Sequence, residues 1–156
     1  RDVVDRGHTV KQVLNEFIKR ESDSIRFIHP QVAYADLVLS LHPIHPRLLE
    51  DIDYKQTPPL KLVVKTRLGL NEIALNRVLV GVCCLHVDIV ISDDEVKITI
   101  EGETSAADIA IAAKILCPNL LEFLDLTPKW QDGILGLMQL ITLSHISQLL
   151  TKRFIK

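Results

Sequence analysis

The residues best suited to chemistry stand at the start of the chain, in RDVVDRGHTVKQVLNEFIKRESDSIRFIHPQVAYAD, residues 1–36. Arg1 and Arg6 are the candidates. A guanidinium stays charged at any working pH and grips phosphate oxygens through two parallel N–H groups, so a pair of arginines suits an anion such as a phosphoryl group. Five residues apart on one helix, the two would diverge by about 140°, and they close on one anion only where a helical turn meets a loop. The spacing offers such a junction. Asp2 lies four residues before Arg6, the favourable sense for an ion pair within a turn, and Gly7 is a natural left-handed residue to end it. The same spacing fits a solvated ion pair at a chain end, worth roughly 0.2–0.5 kcal/mol.

The elements that must position these arginines come directly after them. Thr9 and Gln12 make a capping box, and Val10, Val13, Leu14, Phe17 and Ile18 recur at the spacing of an amphipathic helix of about three turns, with Arg20 in its last turn. Ser22, Asp23 and Ser24 break that pattern and Pro30 comes soon after, so a loop is expected up to Ala35. It feeds a buried strand over Asp36 to Leu41.

Arg1-Asp2, Arg6-Gly7, a helix ending near Arg20, then Asp23, Ile28, Pro30-Gln31 and Ala35-Asp36 together resemble the phosphoribulokinase and uridine kinase family just after its ATP-binding core. A second echo is Gly136-Leu137-Met138-Gln139, which is similar to the Gly-Leu-aromatic-Gln opening the family's last helix, with Met138 in place of the aromatic. The resemblance implies a P-loop kinase-like fold that moves the γ-phosphoryl of ATP, with Mg2+, to the primary hydroxyl of ribulose 5-phosphate. It also implies that Arg1 and Arg6 contact the sugar phosphate substrate. Two arginines beside a moving phosphate are physically apt, because phosphoryl transfer is mostly positioning and charge neutralisation. Uridine kinases share the lid pattern but resemble the chain only up to the strand at Asp36. About 120 residues follow it here, which favours a phosphoribulokinase-like protein over a uridine kinase-like sugar or nucleoside kinase.

Nothing in the sequence reads G-x-x-x-x-G-K-[ST], the loop whose amides cradle nucleotide phosphates. The expectation is therefore a C-terminal fragment whose parent holds the nucleotide site and the catalytic acids before Arg1. No catalytic residue is assigned in these 156 residues, and the fragment alone should be inactive. A non-catalytic oligomerisation or regulatory domain is the reading from a different class.

Composition bounds the rest. Apolar residues make up 47% of the chain and aromatics only 4%, so the core must be aliphatic. A net charge of −2 gives no general attraction to nucleic acid or an anionic membrane, and neither is expected as a partner. No run of 18 uninterrupted apolar residues is present, and a cytoplasmic protein is expected. Cys83, Cys84 and Cys117 are an odd set. Adjacent Cys83 and Cys84, taken as part of a strand, would face opposite ways and could not bridge each other. Some members of the resembled family are switched by a cysteine pair, which these three do not reproduce. No metal site is expected: Cys83-Cys84 with His86 lacks the other half of a ligand set, and prolines keep His42 and His45 off one helix face.

The remaining chain reads as scaffold. The strand Leu60 to Leu68 alternates Leu60, Leu62, Val64 and Thr66 on one face with Lys61, Val63, Lys65 and Arg67 on the other. Those basic residues fit either an anion-binding surface or an ordinary half-exposed sheet face. Asn71 to Leu79 is expected to be a short helix running into a strand around Val80. His86 to Ile91 and Glu95 to Glu101 form a hairpin about Ser92-Asp93-Asp94, whose aspartates are turn formers. Ser105 and Asp108 cap a helix over Ala106 to Leu116, and a short Leu120 to Leu126 segment precedes the longest helix, Ile134 to Arg153. That helix is apolar on nearly every side, which implies burial between layers or against another subunit. His145 on it is expected to be a satisfied core residue, and Lys152 and Arg153 complement the helix dipole. The fold class is mixed α/β, a sheet with helices packed on it as the C-terminal part of a P-loop kinase-like fold. Its expected layout is a lid helix and strand at 1–41, a connector at 42–59 and an appended α+β lobe at 60–156, assembling as a homo-oligomer.

Overall fold

The computed structural model describes residues 7–45, 59–67, 70–119, 124, 126 and 128–154, the side chains of 152–154 excepted. In chain order the elements are α1 (Val10–Asp23), β1 (Leu37–Pro43), β2 (Leu60–Thr66), α2 (Glu72–Gly81), β3 (His86–Ile91), β4 (Val96–Glu101), α3 (Ala106–Leu116) and α4 (Gly133–Phe154). A π-helical turn, Ser24–Ile28, and a 3-10 helix, His29–Tyr34, continue directly from α1. The chain divides into two compact units, Arg1–Ala35 and Asp36–Lys156.

In the second unit the four strands form one antiparallel sheet in the order β1-β2-β4-β3. The alternation in β2 works as the sequence implies. Leu62, Val64 and Thr66 are buried, while Lys61 and Lys65 lie on the opposite face. The register carries this pattern sideways, setting Val64 beside Leu39 and Ile98, and Leu62 beside Ile100. Helices α2, α3 and α4 cover that apolar face. They contribute Leu75, Val78 and Leu79 from α2, Ile109, Ala112 and Ala113 from α3, and Leu137, Leu140 and Ile141 from α4. Each buried aliphatic side chain is worth roughly 1.5–3 kcal/mol, and nearly all of the core is of this kind. The expected mixed α/β class, one sheet with helices packed on it, is therefore the observed architecture.

Local signals read from the sequence account for several boundaries. Ser105 begins α3, its hydroxyl accepting from the Asp108 N–H at 3.1 Å and donating to Asp108 Oδ2 at 2.7 Å. The β3–β4 turn closes through Ser92 N–H to Glu95 O at 2.9 Å, so Asp93 and Asp94 are turn residues. Elsewhere the structure corrects the expectation. Residues 22–34 are helical, not a loop, because the Ser22 hydroxyl donates to its own helix at Lys19 O and Pro30 sits in the first turn of the 3-10 helix, where no N–H is needed. No strand forms around Val80. Asn71 caps α2 by accepting from Ala74 N–H at 3.0 Å, and burial at Leu75, Val78 and Leu79 follows the helical period through to Gly81.

The 1–41 grouping placed the first strand with the lid helix, yet β1 pairs with β2 along its full length, from Leu37 opposite Thr66 to Pro43 opposite Leu60. Ile44 N–H extends the ladder to Pro59 O at 3.0 Å. Of the expected connector 42–59, His42 and Pro43 belong to β1; residues 46–58 lie outside the described residues, as does most of the Leu120 to Leu126 segment.

Helix α4 has one buried face, through Leu137, Leu140, Ile141, Ser144 and Ser147, while Leu135 and Ile146 are exposed. Burial on all sides is not observed. By length and composition Gly133–Thr151 could cross a membrane, and packing on the sheet and α3 explains its apolar content equally well. The Gly136-Leu137-Met138-Gln139 motif is a clamp at its start. Gln139 accepts from Gln131 N–H at 3.0 Å and donates to Lys129 O at 3.2 Å, so it holds the incoming loop. Gly136 makes room for that loop, since a Cβ there would collide with the Gln131 carbonyl and Ile109 Cδ1. The loop is also tied to α3, through Asp132 Oδ1 accepting from Ala106 N–H at 2.7 Å and Gly133 N–H donating to Thr104 O at 2.8 Å. Gly136→Ala should cost about 1–3 kcal/mol by overpacking. Gln139→Ala should cost about 1–2 kcal/mol by freeing two backbone groups. Because both act on one loop, urea unfolding of the double variant should show less than the sum.

Candidate functional site

Arg1 and Arg6, the predicted substrate-binding pair, lie outside the described residues. The described residues begin at Gly7. Gly7 has φ +67°, the left-handed conformation expected where a preceding turn ends, with nothing within 4 Å of a Cβ position. The capping box is complete: Thr9 Oγ1 accepts from Gln12 N–H at 3.2 Å, and Gln12 Oε1 accepts from Thr9 N–H at 2.8 Å. The chain direction immediately after Arg6-Gly7 is therefore fixed by two reciprocal bonds. No residue of α1 is buried, and Phe17 and Ile18 are 69% and 68% exposed.

Polar groups along this unit are engaged locally. Lys19 Nζ donates to Glu16 at 3.1 Å, and that bond holds the Glu16 carboxyl below its usual range. The Arg26 guanidinium lies over the Phe27 ring at 5.0 Å, and Gln31 Nε2 donates to Phe27 O at 2.8 Å across the π-helical turn. Pro30-Gln31, part of the family-like pattern, thus has a structural task in joining two helical forms.

The other sequence candidates separate cleanly. Cys83 and Cys84 sit in the turn after α2, not on a strand; Cys83 is buried, while Cys84 is exposed at φ +53°. Burial raises the thiol of Cys83 above its ordinary value, with the Thr104 hydroxyl working against it. Cys117 is raised for the same reason, opposed by the hydroxyls of Ser144 and Ser147. Among the described residues no group of three His, Cys, Asp or Glu side chains is placed to hold a metal ion. His145 is a core residue but not a satisfied one. It is 6% exposed and its Nδ1 has no hydrogen-bond partner. Burial lowers its pKa, with Asp36 pulling weakly the other way.

The basic sheet face holds a residue that the sequence pattern did not single out. Lys61 pairs with Glu101 at 3.5 Å and Lys65 with Glu95 at 3.0 Å, but Lys65 also lies directly opposite Lys97 of β4. Only the strand register reveals that meeting of like charges.

A sequence model of the Phosphoribulokinase / Uridine kinase family matches residues 1–45. The family likeness belongs to this N-terminal stretch. It covers Arg1, Arg6, Gly7, α1 and all of β1, so it runs past the boundary between the two compact units. A phosphoribulokinase from Synechocystis is 40% identical over 55 residues, which is 35% of this chain and 16% of that protein. The matched stretch is thus under one-fifth of the relative's length. No solved structure matches the chain.

Two measurements test the burial of these side chains. A thiol reagent such as Ellman's should titrate one cysteine, Cys84, in the native protein and all three in denaturant; prompt reaction of Cys117 in the folded state would contradict its burial. His145 has a depressed folded-state pKa, so its neutral form is favoured by folding. Stability should be fully present above about pH 6.5 and fall as pH drops below it, by at most about 1.4 kcal/mol per pH unit. A His145→Leu variant should flatten that part of the urea-derived stability profile.

Proposed function

We propose that residues 1–45 are the substrate-side segment of an ATP-dependent kinase of the phosphoribulokinase type, acting on ribulose 5-phosphate. The observation that carries the reading is the family match over residues 1–45, a range that contains Arg1-Asp2 and Arg6-Gly7. Arg1 and Arg6 bind the sugar phosphate and offset the charge that develops as the phosphoryl group moves. Gly7 and the Thr9–Gln12 box support the reading by setting the chain direction behind Arg6. So does the exposed apolar stripe of α1, Leu14, Phe17 and Ile18, the kind of surface that packs on a larger core.

ATP and Mg2+ do not fit the residues in hand. The sequence contains no phosphate-cradling loop, and the described residues bring together no acidic cluster that could seat the ion. In this proposal both belong to residues of a longer protein outside this sequence, and the 156 residues alone do not turn over ATP. A uridine kinase-like specificity is the alternative within the same chemistry. The other reading, assembly of a homo-oligomer through residues 60–156, is favoured by the exposed apolar residues Val90 and Ile91 on the edge strand β3.

One assay separates these readings. In the full-length protein, Arg6→Ala should lower kcat/KM for ribulose 5-phosphate by about 10²–10³-fold, the scale of losing one preorganised charge donor, with an unchanged melting temperature. Use of uridine in place of the sugar phosphate would reassign the substrate. An unaltered rate in a folded Arg6→Ala protein would remove the arginine from the site and leave the assembly reading.

A further inference from the structure

The sheet face opposite the helices holds a depression of about 420 Å³ lined by Ser40 and His42 of β1, Lys61, Val63 and Lys65 of β2, and Lys97 and Thr99 of β4. Its floor is Val63, flanked in register by Ser40 on one side and Thr99 on the other. Two hydroxyls therefore stand on either side of a small apolar floor. At one end lie Lys65 and Lys97, directly opposed across the β2–β4 ladder.

That opposition is the informative feature. Like charges facing each other across neighbouring strands destabilise a sheet. Glu95 compensates Lys65 at 3.0 Å, and Glu101 compensates Lys61 at 3.5 Å. Lys97 has no carboxylate partner among the described residues. The depression is thus lined by Lys97, without a carboxylate partner among the described residues, and by Lys65 across the ladder from it, with the hydroxyl residues Ser40 and Thr99 in the same cavity. A phosphate monoester carries the charge and the acceptor oxygens that two ammonium groups match, and hydroxyls on its carbon skeleton match Ser40 and Thr99.

We propose that this depression is a binding site for a small phosphorylated polyol, its phosphate held between Lys65 and Lys97 and its hydroxyls beside Ser40 and Thr99. The site is separate from Arg1 and Arg6 and does not rest on the kinase reading, since no residue of 1–36 takes part in it. Glu101, paired with Lys61, disfavours an anion at the far end of the depression, while at the near end Glu95 is engaged by Lys65 and leaves Lys97 as the lysine without a carboxylate partner among the described residues.

The test is calorimetric titration of the intact chain with glycerol 3-phosphate, glycerol and inorganic phosphate at ionic strength held constant with NaCl. Glycerol 3-phosphate should bind saturably and more tightly than inorganic phosphate, and glycerol should give no heat. Lys97→Met should weaken glycerol 3-phosphate at least tenfold while the ligand-free melting temperature stays level or rises, because the opposed charge is gone; Lys97→Gln serves if the methionine variant aggregates. Ser40→Ala should weaken glycerol 3-phosphate but leave inorganic phosphate unchanged. Undiminished binding in the folded Lys97 variants would overturn the site. Equal affinity for inorganic phosphate would overturn the polyol assignment. Binding that survives in the folded Lys97 variants but is lost from an Arg1→Ala/Arg6→Ala chain would place the ligand at the arginines instead.

Discussion

The second unit depends on β2 having neighbours on both sides. A strand hydrogen-bonded to β1 and β4 cannot slip by one residue without turning Leu62 and Val64 outward and Lys61 and Lys65 inward. That exchange would set ammonium groups against α4, at several kcal/mol per unpaired charge. The register of the whole sheet follows from this one penalty. Leu39, Ile98 and Ile100 are carried to the helix side, and the lysine-bearing face is left with the compensating glutamates of β4 and its approach.

Where the apolar rule is relaxed, the exceptions cluster on α4. Ser144, His145 and Ser147 are buried in a core built mostly of aliphatic side chains, with the hydroxyls of Ser144 and Ser147 against the raised thiol of Cys117. Ser144 accepts from Gln148 Nε2 at 3.3 Å, whereas His145 Nδ1 meets no partner. A neutral imidazole is the form such a site tolerates, because ionising it there forfeits hydration with little in return. Polarity inside α4 therefore makes the core sensitive to acid without giving it a ligand set.

The side-chain bonds described in the first unit are local. Its capping box, the serine folded back on α1, and the Gln31 to Phe27 bond across the π-helical turn join residues three or four apart. No residue of α1 or of the two helical segments after it is buried. The family-like stretch spans this unit and then β1, whose partner β2 lies beyond the match. A short sequence likeness and a compact structural unit need not share an edge, since one follows chemistry along the chain and the other follows pairing in space.

Short-range rules were legible from the residues: the Thr9–Gln12 box, α3 from Ala106 to Leu116, the β3–β4 hairpin and the two faces of β2 all arise from spacings of two to four. So was the family likeness of the N-terminal stretch, while Arg1 and Arg6 lie outside the described residues. Signals that competed locally were not legible. Ser22 to Ser24 and Pro30 suggested a loop and Val80 a strand, and helical hydrogen bonding with burial at Leu75, Val78 and Leu79 decided otherwise. Gly136 and Gln139 drew notice as a motif, but their grip on residues 129–131 is visible only in three dimensions. Sequence by itself determined which residues are charged, apolar or able to cap. Tertiary structure alone decided that Lys97 faces Lys65 and that His145 Nδ1 is buried without a partner, because strand register and helix rotation are set by the packing of the whole core.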